Sequence, residues 1–415
     1  MNRIVLIGNG FDLAHGLKTS YKNFIDWYWK DWGEKLLHGL NKTETDGLCS
    51  FKLKESVNLA NWAYVWGFRY QRKNPLVPWN PIDVISIAKE DKDLCDYWTS
   101  PFLQQICKSI ETKKWVDIEN EYYDLLSKCA LKGNTETTVE ELNQQLHTLQ
   151  EKLVQYLNLV NNTDTKIYES IWNKIYSPIN PKEISVEKFF QLKEYIDWCV
   201  KQDNSYWVSK MQRYKEEFNS DYVDSYKRHY HEIYYVDYPR PFMLPDHIML
   251  LSFNYTKTVH LYHNQNFSLN YIHGELDKPQ NIIFGYGDEI DENYQALKNL
   301  NDNGCLCNLK TIKYLETDNY RNVLAFMDSA PYQVCIMGHS CGNSDRTLLN
   351  TLFEHKNCLS IKPYYYIKED GTDNYLDIIQ NISRNFTDMK LMRDRVVNKT
   401  YCEPLTQTPL TKESS

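Results

Sequence analysis

Ile4-Val5-Leu6-Ile7-Gly8-Asn9-Gly10-Phe11-Asp12-Leu13-Ala14-His15-Gly16 decides the fold of this 415-residue chain. A short apolar run goes straight into two glycines, and a helical pattern follows. This predicts a buried β-strand, a sharp turn and the start of a helix. Glycines at such a turn let a backbone approach a ligand closely, and the free N–H groups of the new helix favour an anion. The dinucleotide fingerprint G-x-G-x-x-G is incomplete, because Leu13 stands where its third glycine belongs. Asp12 also puts a negative charge where a pyrophosphate would lie. The alternative is a plain strand-to-helix turn with Asp12 as the helix N-cap.

A buried opening strand needs partners, and strand patterns return only after about residue 245. His247 to Phe253 ends at Asn254-Tyr255-Thr256, and Phe267 to Ile272 ends at His273-Gly274. Asn281 to Phe284 ends at Gly285-Tyr286-Gly287-Asp288, and Tyr332 to Met337 ends at Gly338-His339-Ser340. A helix from Asp345 to His355, a strand from Leu359 to Lys368 and a helix from Tyr375 to Phe386 complete the series. Strands leading into helices predict an α/β fold with a largely parallel, Rossmann-like sheet. That domain is formed by residues 1–20 and 240–390. Residues 21–239 read as a large, mostly helical insertion, and 403–415 as a flexible tail. Within the insertion, Thr19-Ser20 can cap a helix from Tyr21 that carries Phe24, Ile25 and Tyr28 inward. Val139, Leu142, Leu146, Leu149, Leu153, Tyr156 and Val160 mark a long amphipathic helix.

Composition removes several function classes. The net charge is −8, and no block of lysine or arginine is visible, which argues against non-specific nucleic-acid binding. No stretch is apolar enough to span a bilayer, and the opening residues lack a secretory pattern. The eleven cysteines are scattered and odd in number, and Cys305-Leu306-Cys307 alone is weak as a metal motif. A cytoplasmic protein with reduced thiols and no membrane contact is expected. Many of the 32 tyrosines and 11 tryptophans cluster before residue 240, as in Trp27-Tyr28-Trp29, Trp62 to Trp66 and Tyr230 to Tyr238. Amphipathic core packing explains such clusters without invoking base stacking.

In an open α/β sheet, ligands bind beyond the carboxyl ends of the strands. Gly8-Asn9-Gly10, Asn254-Tyr255-Thr256, His273-Gly274 and Gly338-His339-Ser340 all fall at such ends. Together they bring an amide, a titratable base and a phosphate-sized turn to one edge.

Leu6 to Leu17, Thr19-Ser20-Tyr21, Trp115-Val116-Asp117-Ile118-Glu119, Ser252 to Thr256, Ile272-His273-Gly274 and Gly338-His339-Ser340, in that order, resemble the AbiH family, bacterial proteins of phage abortive infection. The order of glycine turn, strand-end Asn-Tyr, strand-end His-Gly and Gly-x-Ser with a downstream Asp is also similar to sirtuin-like NAD-consuming domains. That resemblance implies an effector that hydrolyses NAD, as substrate, at the glycosidic bond to nicotinamide. Asn254 and His273 would be catalytic, with Asn254 at the ribose and His273 as base. Gly8, Asn9, Gly10, Phe11, Asp12, Tyr255, Gly338, Ser340 and Asp345 would hold the nucleotide. No metal is implied, and a phage-derived trigger would be a partner, with a homo-oligomer left open. Asp12 and Thr256 depart from the sirtuin-like pattern, and the zinc ribbon of protein deacetylases is missing.

Three other readings compete. Gly338-His339-Ser340-Cys341-Gly342 fits the G-x-S-x-G nucleophile elbow, although its only later histidine is His355. Asp12, Asp288, Glu289 or Asp345 could hold Mg²⁺ in a metal-dependent nuclease. A non-catalytic nucleotide sensor that signals to a partner is the third.

Overall fold

A computed structural model describes residues 1–38, 43–54, 81–93, 95–113, 117–133, 136–161, 165–203, 205–218, 240–264 and 267–406. Its strands are β1 (Asn2–Ile7), β2 (Thr43–Thr45), β3 (Cys49–Leu53), β4 (Cys95–Thr99), β5 (Ile248–Ser252), β6 (Phe267–Tyr271), β7 (Tyr332–Met337) and β8 (Cys358–Tyr364). Five of them form a wholly parallel sheet in the order β6-β5-β1-β7-β8. From central β1 the chain winds outward through β5 and β6, then crosses back to β7 and β8. This is the doubly wound, Rossmann-like order, and its topological switch point lies between β1 and β7.

Every residue of β1, β5, β7 and β8 is buried, which is why they read as continuous apolar runs rather than alternating ones. Their side chains still divide by the two-residue strand period. Ile4, Leu6, Met249, Leu251, Val334 and Ile336 pack on one face against the helices Asn319–Ser329, Arg346–Glu354 and Tyr375–Arg384. Val5, Ile7, Leu250, Cys335 and Met337 pack on the other, against Phe11, Tyr262 and the helix Glu169–Tyr176.

The insertion follows its helical periodicity. Ser20 Oγ accepts the amide of Asn23 at the start of the helix Tyr21–His38, whose Phe24, Ile25 and Tyr28 are buried. The helix Val139–Val160 opens with a full capping box between Thr138 and Glu141. Its Leu142, Leu146, Leu149 and Leu153 enter a core shared with Leu276, Phe284, Tyr286 and Leu309. The insertion is therefore welded to the segment between β6 and β7.

Four expectations need correction. The insertion also contains an antiparallel sheet, β2-β3-β4. Its β2–β3 hairpin turns at Asp46-Gly47, with Gly47 at φ +85° and Asp46 Oδ1 accepting the amides of Leu48 and Cys49. Asp-Gly is a hairpin signal that the surrounding helical pattern obscured. Asn281 to Phe284 is not a strand: Ile283 N bonds to His273 O, and Ile282 and Phe284 pack toward the insertion. The tail is not loose at its start, because Leu405 is buried and donates its amide to Tyr365 O at 2.7 Å. Asp12 is not an N-cap, since the helix Asn9–Ala14 begins after Gly8. Trp62 to Trp66, Trp115-Val116, Tyr230 to Tyr238 and 407–415 lie outside the described residues.

Candidate functional site

The glycine turn after β1 closes on the end of β7. Gly10 N donates to Gly338 O at 2.8 Å, and Gly8 N donates to Met337 O at 3.2 Å. A Cβ at Gly8 would lie 2.4 Å from His339 Cα, and one at Gly10 would lie 2.9 Å from Gly338 Cα. Gly338 itself sits at φ +76°, where a Cβ would come 2.0 Å from Phe11 N. The glycines are thus required by backbone meeting backbone across the switch point. The amides of Gly8 and Gly10 are spent on this contact, so a pyrophosphate at this edge would be held by other groups.

Below the turn, Asn254 Nδ2 donates to Gly8 O at 2.9 Å, and Thr256 Oγ1 donates to Asp12 Oδ2 at 2.5 Å. Burial pushes the Asp12 carboxyl up to about 6, against hydrogen bonds from Thr256, Thr258 and Asn254. Phe11, expected at the nucleotide, is instead fully buried against His15 and Tyr262. Tyr255 donates its hydroxyl to Ile283 O at 3.0 Å. Asn9 and Ser340 remain exposed at the ends of adjacent strands β1 and β7.

A buried charge constellation lies at the same edge. Asp345, just before the helix Arg346–Glu354, is its hub. Its Oδ1 is 3.2 Å from His273 Nε2 and 2.7 Å from Lys310 Nζ, and its Oδ2 is 3.4 Å from His339 Nε2. Lys310 Nζ also meets Glu119 Oε2 at 2.8 Å, and Glu119 Oε1 accepts the amide of Gly285 at 3.1 Å. Glu119 comes from the insertion, on the helix Ile118–Ser127, which Asp117 caps by accepting the amide of Asn120. Phe253, at the end of β5, separates the two imidazoles, with ring centroids 5.3 Å from His273 and 4.1 Å from His339.

Burial sets the protonation states, and the single ammonium then divides the carboxylates. Burial opposes the charge on Asp345, but Lys310 and then His273 override it and hold that carboxyl well below its usual range. Glu119 goes the other way, raised by burial more than Lys310 can lower it, with Asp345 and Asp117 adding repulsion. Asp345 and Glu119 keep Lys310 charged despite its burial. Burial, then the Lys310 charge, lowers His273 to about 4. His273 is therefore neutral near pH 7. Its Nε2 faces Asp345 and the Tyr314 hydroxyl at 3.2 Å, which leaves the basic lone pair on Nδ1. At His339, Nδ1 accepts the amide of Cys341 at 3.0 Å, so its Nε2 carries the proton toward Asp345. Tyr21, Tyr255 and Tyr314, raised first by burial, stay protonated.

The family model described as Bacteriophage abortive infection AbiH matches residues 4–366. The chain belongs to the AbiH family. Membership supports a role in phage abortive infection. No curated protein and no solved structure matches the chain.

Of the residues expected at the AbiH site, His273 and Asp345 are brought into contact, and Gly8, Gly10, Asn254 and Gly338 form the knot beside them. Glu119, Lys310 and His339 were given no role by sequence reasoning. Glu119 and His339 lie within the stretches that carry the resemblance to the family, but Lys310, before Thr311-Ile312, has nothing local to signal its burial.

The hydrolase elbow does not assemble in this AbiH protein. His355 Nε2 pairs with Asp328 at 3.2 Å and its ring lies over Tyr332, while Asn381 bonds to the Ser340 carbonyl at 2.8 Å. The nuclease carboxylates are dispersed as well. Asp12 binds Thr256, Asp288 pairs with Arg346 at 3.1 Å, and Asp345 faces Lys310. Among the described residues, no group of three or more His, Cys, Asp or Glu side chains is arranged to hold a metal ion. No described helix is long and apolar enough to cross a membrane. All eleven cysteines are free.

Proposed function

We propose that this AbiH protein is an abortive-infection effector that binds a nucleotide beyond the β1–β7 switch point and hydrolyses NAD at its nicotinamide glycosidic bond. The observation that carries the reading is the neutral imidazole of His273, held against the ionised Asp345 at the carboxyl edge of a doubly wound sheet. Perturbed groups gathered at such an edge are what a catalytic site requires.

In this scheme His273 Nδ1 takes a proton from the attacking water as the C–N bond to nicotinamide breaks. Asp345 then stabilises the imidazolium that forms. Nicotinamide leaves as a neutral base, so no acid has to protonate it. Charge building on the ribose is met by the ionised Asp345. Asn9 and Ser340, exposed at the ends of β1 and β7, would meet the nucleotide, with Asn254 below the glycine turn.

NAD consumption by the purified protein tests this, compared with His273→Ala and Asn254→Ala and set beside cellular NAD during infection. The expected result is turnover that His273→Ala abolishes. Intact NAD in cells that nonetheless arrest would overturn it. One observation favours a sensing role for the same site. Glu119 bonds across to Lys310 and thereby ties the insertion to the sheet edge. A protein that binds NAD without consuming it would establish that role.

A further inference from the structure

A second, unassigned site lies in the insertion. A cavity of about 520 Å³ opens between β4 and the helix Val139–Val160, lined by Tyr97, Trp98, Gln104, Glu136, Glu141 and Gln145 among others. It shares Pro101, Glu136 and Thr137 with an apolar hollow of about 190 Å³ that Leu125, Cys129 and Leu142 complete.

The chemistry of the walls is one-sided. Among the described lining residues there are two carboxylates, three glutamines, two threonines and two aromatic rings, and no lysine, arginine or histidine. Gln145 is only 7% exposed, and its Oε1 accepts no hydrogen bond. A buried amide carbonyl without a donor is costly, so a ligand that supplies the donor gains what the free protein forgoes. Trp98, 48% exposed, lines the same cleft and is the ring available to a cation there. Glu141 has one oxygen engaged by the Thr138 amide, which makes Glu136 the principal charge.

We propose that this cleft binds a guanidinium or alkylammonium cation carried on an apolar stem. The head would pair with Glu136 beside Trp98, with the Gln145 amide turning its unpaired Oε1 outward to accept from it, and the stem would fill the Leu125–Leu142 hollow. The site is independent of the nucleotide reading and some of its residues come from the same sheet, β2-β3-β4, that sequence periodicity concealed. The same cation could be presented by an arginine or lysine side chain of a peptide or by a polyamine, and titration separates the two.

Calorimetric titration of the full chain with N-acetyl-Leu-Arg-amide, its citrulline counterpart and spermidine is the test. A salt-sensitive signal from the arginine peptide or from spermidine, and none from the citrulline peptide, is expected. Glu136→Gln should weaken it about tenfold and Trp98→Ala about threefold. Both side chains are exposed, so these variants should melt like the parent. A peptide-only response assigns the cleft to protein partners, and a spermidine-only response assigns it to a polyamine. The proposal is overturned by equal binding of the citrulline peptide, by binding that neither substitution changes, or by no binding at millimolar ligand.

Discussion

Lys310 and Asp345 stand 2.7 Å apart, and the same ammonium touches Glu119 at 2.8 Å. One fully buried cation therefore bridges acidic side chains from two parts of the protein, the insertion and the sheet edge. Replacing Lys310 by Met leaves the ionised Asp345 without its counter-ion and Glu119 without its buried donor. It should cost about 3–5 kcal/mol in urea unfolding. The Lys310→Met, Glu119→Leu double variant should lose less than the sum of the single losses, because each partner's penalty depends on the other. Strict additivity would mean that the bridge carries little of the coupling.

His273 makes stability depend on pH. Its pKa is about 4 in the folded protein against an ordinary 6.5. Between those values the unfolded chain binds more protons, so stability rises with pH there. This contribution is complete above about 6.5 and fades as pH falls toward 4, amounting to at most about 3 kcal/mol. Unfolding of His273→Gln measured across pH 4 to 7 should show a flatter profile than the parent.

Asp12 acts in the opposite sense over much of the same range. Raised from 3.8 to about 6, its carboxyl favours the folded state at low pH, and that contribution is lost as pH rises through about 6. Asp12→Asn keeps an acceptor for Thr256 and removes the titration. The variant should gain on the parent as pH climbs from 4 to 7. An unchanged difference across that range would show that Asp12 ionises normally.

Under the hydrolase reading, a base that stays neutral down to about pH 4 should not produce an acid limb near 6.5. The kcat/KM profile for NAD is expected to hold from pH 8 to about pH 5 and to fall only below that. A limb centred near 6.5 would assign the base to another group.

Gly338→Ala combines a positive φ with a Cβ placed on Phe11 N. Neither the turn nor β7 can yield without parting the two loops, so a loss of at least about 2 kcal/mol is expected. Gly16→Ala is the control. It also has positive φ, +81°, but meets nothing within 4 Å, so it should lose less.

Much of the fold was legible because buried parallel strands announce themselves as short apolar runs. β1, β5, β6, β7 and β8 coincide with the runs Ile4–Ile7, His247–Phe253, Phe267–Ile272, Tyr332–Met337 and Leu359–Lys368 to within two residues, except that β8 ends at Tyr364, four residues before Lys368. The same rule misassigned Asn281 to Phe284, whose apolar side chains pack without a strand partner, and it passed over the Asp46-Gly47 hairpin. His273 was visible because a polar residue at a strand end stands out against an apolar run, and Asp345 because the sirtuin-like resemblance pointed to an Asp downstream of Gly-x-Ser. Lys310 and Glu119 were not, since what makes them unusual is burial beside each other across 191 residues of chain. The purpose of the glycines was also hidden. Sequence alone cannot say whether a bare Cα faces a ligand or another backbone.

The welding of the sheet across a long insertion also governs when the site comes into being. Gly8 and Asn254, hydrogen-bonded in the folded protein, are 246 residues apart in the chain. At synthesis rates of about 5–20 residues per second, on the order of ten to fifty seconds pass between them. Lys310 and Asp345 emerge later still. The opening strand must wait that long on the ribosome for its partners, and no shorter nascent chain contains the full constellation. Under the effector reading, the site stays unformed on the ribosome until Asp345 has been made, whatever the state of the opening strand.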